Sequence, residues 1–168
     1  MTPRDARASQ ALRRARTLAT VSADYQIQLE WGVQALRAHP ADVVIVADAD
    51  AGESGDALRA ADAGLVLAAT LETADEVAEI VLAEQGRLGR RASITIAAAG
   101  DRWPDGSLRV SVADTLVAGR VVDALAERGI DFHSPQAAVA CAAAVALRGA
   151  TGHLVTAERA SRELAAAV

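Results

Sequence analysis

The chain has 168 residues, 52% of them hydrophobic and 23% charged, which is enough for one domain that buries about two-thirds of the surface of its unfolded chain. Its 22 acidic residues outnumber 17 basic ones, and all of the basic ones are arginine. The absence of lysine excludes a Schiff-base catalyst, a complete Walker A loop and a lysine-rich nucleic-acid face, and the net charge of −5 argues against general nucleic-acid binding.

The N-terminal segment and the apolar stretches bear on location. Residues 1–24 are rich in arginine but lack the apolar core of a secretory signal, so we interpret them as a leading helix or tail. The longest uncharged run, residues 132–147, is too short for a membrane-spanning helix. Cys141 is the single cysteine, which rules out an internal disulfide and fits a reducing compartment. We expect a cytoplasmic protein with no membrane partner.

Four segments are predicted to be strands. Residues 26–31 alternate polar and apolar side chains and are typical of an edge strand. Continuous aliphatic runs at 42–47, 64–69 and 93–98 indicate strands buried on both faces, as in a parallel sheet.

Helical patterns occupy the rest of the chain. Residues 73–85 form the first long pattern, with Thr73 and Glu76 at capping-box spacing. Three more helices are predicted at residues 111–128, at 135–147 with Ser134 as N-cap, and at 156–166. We therefore predict a single domain over residues 25–168. Its fold class is three-layer α/β/α, with a mostly parallel sheet of about four strands and a helical C-terminal third.

Acidic residues follow three of the predicted strands. Asp48 and Asp50 follow the second strand, Glu72 follows the third and Asp101 follows the fourth. Carboxylates gathered at one edge of a sheet repel each other unless a cation lies between them, and oxygen ligands favour Mg²⁺. The alternative is that these acids cap the helices that follow.

Residues 99–109 concentrate unusual side chains beyond a strand end. Arg102 and Arg109 offer planar charged groups suited to a phosphate or sulfonate, and Trp103 is a candidate pocket wall in a chain with few aromatic residues. The alternative is a surface hairpin in which Trp103 is a packing plug. Downstream, Asp114 is spaced either to form a capping box with Ser111 or to point into the strand-end crevice.

The other candidate ligands and nucleophiles are interpreted as structural or exposed. His39, His133 and His153 have no ligand spacing with one another. Cys141 lies in an alanine-rich helical segment, where a small buried thiol is more common than a nucleophile.

Several segments, in order along the chain, are similar to those of one family. Residues 26–37 resemble its opening strand with Glu-Trp-Gly and helix, 43–48 its Val-Val-Asp strand, and 66–78 its Val-Leu-Ala-Ala segment. Residues 99–109, followed by Asp114, resemble its Ala-Gly-Glu-Arg-Trp-Pro-Asp-Gly-Ser-Leu-Arg run, and residues 162–164 its Arg-Glu-Leu. The chain thus resembles the magnesium-dependent 2-phosphosulfolactate phosphatases of the ComB type.

The resemblance implies hydrolysis of 2-phospho-3-sulfolactate, or a related small anionic phosphoester, to 3-sulfolactate and phosphate. It implies three aspartates that act in catalysis and hold Mg²⁺, namely Asp48, Asp101 and Asp114. Four residues would bind the substrate, with an arginine clamping its phosphoester: Ser54, Gly55, Arg102 and Arg162.

The sequence also departs from the family. Ser54-Gly55-Asp56 stands where the family has Asn-Gly-Ser or Asn-Gly-Thr, Ala113 replaces a glutamate, and a long family segment after the second strand is replaced by a few residues. These departures favour an alternative, a catalytically inactive relative that serves as a binding or assembly partner. A third hypothesis is a haloacid-dehalogenase-type phosphatase with Asp48 and Asp50 as nucleophile and acid, although its later elements do not occur. Because exposed edges of a small sheet favour pairing with another chain, we further predict a homo-oligomer.

Overall fold

The computed structural model describes residues 25–50 and 64–166. Four parallel strands form one sheet in the order β1-β4-β2-β3: β1 Ile27–Trp31, β2 Val43–Ala47, β3 Leu65–Ala69 and β4 Ile94–Ala98. Two short strands, β5 Asp101–Arg102 and β6 Leu108–Arg109, pair antiparallel as a hairpin. All four predicted sheet strands are confirmed, and β1 lies at an edge as predicted.

Five helices lie within the described residues: α1 Val33–Ala38, α2 Ala74–Leu88, α3 Val112–Glu127, α4 Pro135–Ala146 and α5 Thr151–Ala166. The last three make the C-terminal part helical, as the sequence predicts. Among the described residues no single helix is long and apolar enough to cross a membrane; α4 and α5 pass that test only as a pair, bent by 108° at their junction.

The strands bury alternate side chains on the two faces of the sheet. Val43, Ile45 and Ala47 point into the larger core, which α2, α3 and α4 cover. Val44 and Val46 point into a smaller core on the opposite face, with residues of α1. The two central strands, β2 and β4, are buried throughout, which explains their continuously aliphatic sequences. The prediction that β3 is buried on both faces is wrong, because β3 lies at the other edge of the sheet and only its last residue, Ala69, is buried. The three-layer α/β/α prediction is confirmed.

Serine residues begin two helices as predicted. Ser111 Oγ accepts a hydrogen bond from the Asp114 N–H at 3.1 Å, and Ser134 Oγ accepts one from the Ala137 N–H at 3.3 Å. Both hydroxyls therefore satisfy a backbone donor that the helix itself leaves unpaired.

The capping box predicted for α2 is wrong. Thr73 precedes the helix but its side chain makes no cap hydrogen bond; its Oγ1 instead accepts from the Thr70 N–H at 2.9 Å. The local turn after β3 competes for the same hydroxyl, a common alternative for threonine.

The last helix begins at Thr151, five residues before the predicted start at residue 156. Thr151 and Gly152 have low helix propensity, which explains why the sequence does not predict the first turn of this helix.

Candidate functional site

The carboxyl ends of β2 and β4 lie side by side. Ala47 and Ala98 are register partners, and the Ala99 N–H donates to the Ala47 carbonyl at 2.9 Å. The residues that follow these two strands therefore meet at one edge of the sheet, the usual position of ligand sites in open α/β folds.

Asp114 connects the two strand ends to α3. Its Oδ1 accepts a hydrogen bond from the Ala49 N–H at 2.9 Å, and its Oδ2 accepts one from the Gly100 N–H at 2.9 Å. The side chain is buried. The sequence left open whether Asp114 forms a capping box with Ser111 or points towards the strand ends. Each interpretation is partly right, because Ser111 caps the helix while the Asp114 carboxylate faces the strand ends.

Burial also changes the acidity of Asp114. Loss of solvation, together with the nearby negative charges of Asp48 and Glu158, raises the pKa of Asp114 to about 6, although the two backbone hydrogen bonds favour the charged form. Asp48 is buried too, and its Oδ1 accepts from the Asp50 N–H at 3.1 Å. Two carboxylates are thus held close together in a poorly solvated place.

Gly100 allows the hairpin to approach the sheet. Its φ of +67° is a left-handed conformation, and a Cβ atom there would lie 2.7 Å from Leu108 Cδ1 and 3.3 Å from Trp31 Cε3. Trp31 at the end of β1 and the hairpin, far apart in the sequence, therefore pack together at this glycine.

The hairpin holds Trp103 and Arg109 in a stack. Its turn is closed by the Gly106 N–H, which donates to the Trp103 carbonyl at 2.8 Å, and Gly106 has a φ of +81°. The Arg109 guanidinium lies 4.7 Å from the centroid of the Trp103 ring, within cation–π range. Trp103 is 50% exposed, so the interpretation of this residue as a packing plug is wrong.

A cavity of about 600 Å³ separates the hairpin from α5. Its charged lining comes from both sides and comprises Asp50, Asp101, Arg102, Arg109, Arg159, Arg162 and Glu163. Trp103 and Pro104 add apolar surface. Four guanidinium groups against three carboxylates give this lining an excess of positive charge.

Two of the cavity arginines come from α5 and meet one aspartate. Arg159 and Arg162 each donate a hydrogen bond to the Asp50 carboxylate, one to each oxygen. Arg162 Nη1 also lies 3.8 Å from Asp101 Oδ2. Arg159 was not among the residues singled out from the sequence; its spacing of three from Arg162 in a helical segment was the available signal.

The other two cavity arginines come from the hairpin. Within residues 25–50 and 64–166, neither Arg102 nor Arg109 forms an ion pair with an acidic side chain. Arg102 Nη1 donates to the Gly106 carbonyl at 3.2 Å. Of the four cavity arginines, Arg102 and Arg109 are therefore the two whose positive charge is not neutralised by an ion pair with a described acidic residue.

Glu158 fixes α5 against the start of α3. Its carboxylate accepts hydrogen bonds from the Val112 N–H at 2.9 Å, the Ala113 N–H at 2.7 Å and the Ser111 hydroxyl at 3.1 Å. A carboxylate at a helix N-terminus satisfies free backbone donors and opposes the positive end of the helix dipole. This role was not predictable from the sequence, because Glu158 lies more than 40 positions from the donors that it caps.

The structure divides the predicted site residues into two groups. Asp101, Arg102 and Arg162 line the cavity, whereas Asp48 and Asp114 are buried at the strand ends next to it. The predicted substrate-binding residues Ser54 and Gly55 lie outside the described residues, as does the predicted N-terminal helix or tail.

The three predicted magnesium ligands are not gathered in one set. In the described part of the chain, no group of three or more His, Cys, Asp and Glu side chains is arranged to hold a metal ion. Mg²⁺, however, commonly takes one or two protein carboxylates and completes its shell with water and substrate phosphate. Asp48 and Asp114 fit that smaller donor set, because both carboxylates are buried at the strand ends and each Asp114 oxygen keeps a second lone pair beyond its backbone hydrogen bond.

No family model, curated protein or solved structure matches the chain. A functional assignment therefore rests on this geometry and on the sequence resemblance.

Proposed function

We propose that this protein hydrolyses a small anionic phosphomonoester, with 2-phospho-3-sulfolactate as the substrate that the sequence resemblance favours. The observation that carries the proposal is the cavity lined by four arginines beyond the carboxyl ends of β2 and β4. We place the protein in the cytoplasm, in keeping with its single cysteine.

The charge of the cavity supports this substrate class. 2-Phospho-3-sulfolactate carries a phosphate, a sulfonate and a carboxylate, and each can accept paired hydrogen bonds from a guanidinium group. Arginines stand on both sides of the cavity, on the hairpin and on α5. A ligand with several anionic groups can therefore be held from two directions.

The reaction needs a group that takes a proton from water and groups that offset phosphoryl charge. Asp101 lies on the cavity wall and serves as the proton acceptor for the water that attacks phosphorus. The phosphorus–oxygen ester bond breaks as the new one forms, and the leaving alkoxide takes up a proton from solvent water to become the alcohol. Arg102 and Arg162 offset the negative charge of the phosphoryl oxygens.

Asp48 and Asp114 support this chemistry from below the cavity wall. Asp114 holds the backbone of Ala49 and Gly100, the neighbours of Asp50 and Asp101, and so fixes the position of the wall. We propose that Asp48 and Asp114 also hold Mg²⁺. When bound, the ion would supply positive charge for the phosphoryl oxygens and orient water.

A second candidate is a relative that binds anions without hydrolysing them. One observation favours it: both Asp114 oxygens accept backbone hydrogen bonds, so a structural role explains the presence of this residue without any catalytic role. Ala113, in place of the family glutamate, points the same way.

Phosphate release distinguishes the two. The full chain is incubated with 2-phospho-3-sulfolactate and a panel of small phosphomonoesters, in Mg²⁺ and in EDTA. We expect release that requires Mg²⁺ and falls at least about 100-fold in Asp101→Asn, since general bases contribute about 10²–10⁴-fold. Arg162→Gln should also lower release, because Arg162 offsets phosphoryl charge, and its matched control is Arg148→Gln, which removes an exposed arginine outside the cavity. Binding without release from any ester would support the second candidate.

A further inference from the structure

Asp50 occupies the hydrogen-bonding groups that a bound anion would use. It follows β2, lines the cavity and accepts a hydrogen bond from Arg159 on one carboxylate oxygen and from Arg162 on the other. Two guanidinium groups converging on one carboxylate repeat the arrangement that proteins use to bind phosphate, sulfonate or carboxylate ligands.

We propose that Asp50 is an internal counter-anion, which competes with the ligand for Arg159 and Arg162 and thereby sets the affinity of the cavity for phosphate groups. The inference rests on the proposed function in one respect, namely that this cavity receives the phosphoester. It names a residue that determines affinity, and the resemblance to the phosphatase family does not include it.

The charge state of Asp50 is suited to this role. An aspartate side chain is ionised near neutral pH, so the two arginines meet Asp50 as a charged partner.

The contact between Asp50 and α5 can exchange because α5 is held mainly by polar groups. None of the side chains from Thr151 to Ala165 is fully buried. The helix is fixed instead by Glu158 at the start of α3 and by the two arginines on Asp50. A phosphate that replaces Asp50 restores the charge pairing without exposing an apolar core.

The test is a calorimetric titration of the full chain with inorganic phosphate in EDTA, so that neither turnover nor a metal contributes. We expect Asp50→Asn to bind phosphate at least about tenfold more tightly than the unsubstituted chain, since one charge is removed from beside two guanidinium groups. Asp123→Asn is the matched control, because Asp123 also pairs with two arginines, Arg120 and Arg148, away from the cavity. Its phosphate affinity should not change.

A second comparison separates competition from a general charge effect. In a chain that carries Arg159→Gln and Arg162→Gln, adding Asp50→Asn should no longer raise the affinity. The inference is overturned if Asp50→Asn binds phosphate no more tightly than the unsubstituted chain, or if the gain persists in the double-glutamine background.

Asp50→Ser supplies a second neutral side chain. If both neutral variants unfold, Asp50 serves the fold and the inference fails. Failure here and failure of the proposed function are distinct, because a chain that releases phosphate from an ester but shows no gain in Asp50→Asn refutes only the competition. A gain in affinity without any hydrolysis refutes only the phosphatase activity.

Discussion

Gly119 in α3 lies so close to Ala140 in α4 that a Cβ atom on Gly119 would stand 2.0 Å from the Ala140 carbonyl oxygen. The same atom would come within 2.8 Å of Ala144 Cβ. One of these atoms belongs to the backbone and the other to an alanine side chain, so neither can move away by a change of rotamer. This contact fixes the approach of α4 to the helix that carries Asp114.

Gly119→Ala should therefore lower the free energy of unfolding by about 1–3 kcal/mol, the range for overpacking of a tight interior. The matched control is Gly86→Ala in α2, where a Cβ atom would meet nothing within 4 Å. That exchange should raise stability by about 0.5–1 kcal/mol, because alanine is the better helix former. Urea denaturation measures both, and equal effects of the two substitutions would contradict the packing account.

Asp42 ties the start of β2 to the start of β4. Arg90 donates to both of its oxygens at 2.8 Å, and the Ser93 N–H donates at 2.8 Å. The hydrogen bonds from Arg90, with those from Ser93, hold the pKa of Asp42 well below its usual range although burial opposes this.

Asp42→Asn should cost about 1–2 kcal/mol at pH 7, since hydrogen bonds to a charged group are lost at a partly exposed site. Because the pKa of Asp42 is lower in the folded state, its carboxylate stabilises the folded protein at pH values above its unfolded pKa of 3.8. This contribution is lost as the pH falls from 3.8 towards the folded pKa. Unfolding curves of both proteins should thus converge in acid. A difference that stays constant down to the acid transition would contradict the prediction.

Asp114 should give the opposite pH dependence. Its folded pKa of about 6 lies above the ordinary 3.8, so the folded state loses stability as the pH rises between these values. Asp114→Asn should remove this slope.

At pH 7 the same variant should be less stable by about 1–3 kcal/mol, because the amide oxygen can accept from only one of the Ala49 and Gly100 N–H groups. Denaturation at pH 4, 5, 6 and 7 without metal checks both effects. An unchanged slope in the asparagine variant would show that another group causes it.

Glu158 should stabilise the junction of α3 and α5. Glu158→Gln keeps one acceptor oxygen but loses the charge at the N-terminus of α3, and we expect a loss of about 1 kcal/mol. Glu163→Gln on the same helix is the control, since no hydrogen bond to Glu163 is found within the described residues. Thermal unfolding compares the two, and an equal loss in both would contradict the capping role.

Much of the fold could be predicted from sequence because its signals are local. Aliphatic runs identify the strands, and Ser111 and Ser134 begin their helices as their positions predict. The failures come from competition that a linear pattern does not show. Thr73 has the right spacing for a cap, yet its hydroxyl is used by the turn before it.

The candidate site was partly predictable for the same reason. Asp101 and Arg102 follow a strand, so their position at the end of the sheet could be expected. The pairing of Asp50 with Arg159 and Arg162 could not, because it depends on how α5 returns across the sheet end after more than 100 residues. The separation of Asp114 from the cavity wall likewise depends on packing, which brings its carboxylate to two backbone amides instead.

We propose above that the arginine-lined cavity hydrolyses a small phosphoester. The most direct measurement follows phosphate and 3-sulfolactate together, from 2-phospho-3-sulfolactate incubated with the full chain and Mg²⁺. We predict equal amounts of the two products, with release greatly reduced in Asp101→Asn and retained in Arg148→Gln. Well-folded protein that forms neither product from this ester, and releases no phosphate from any ester of the panel, would contradict the proposed hydrolysis.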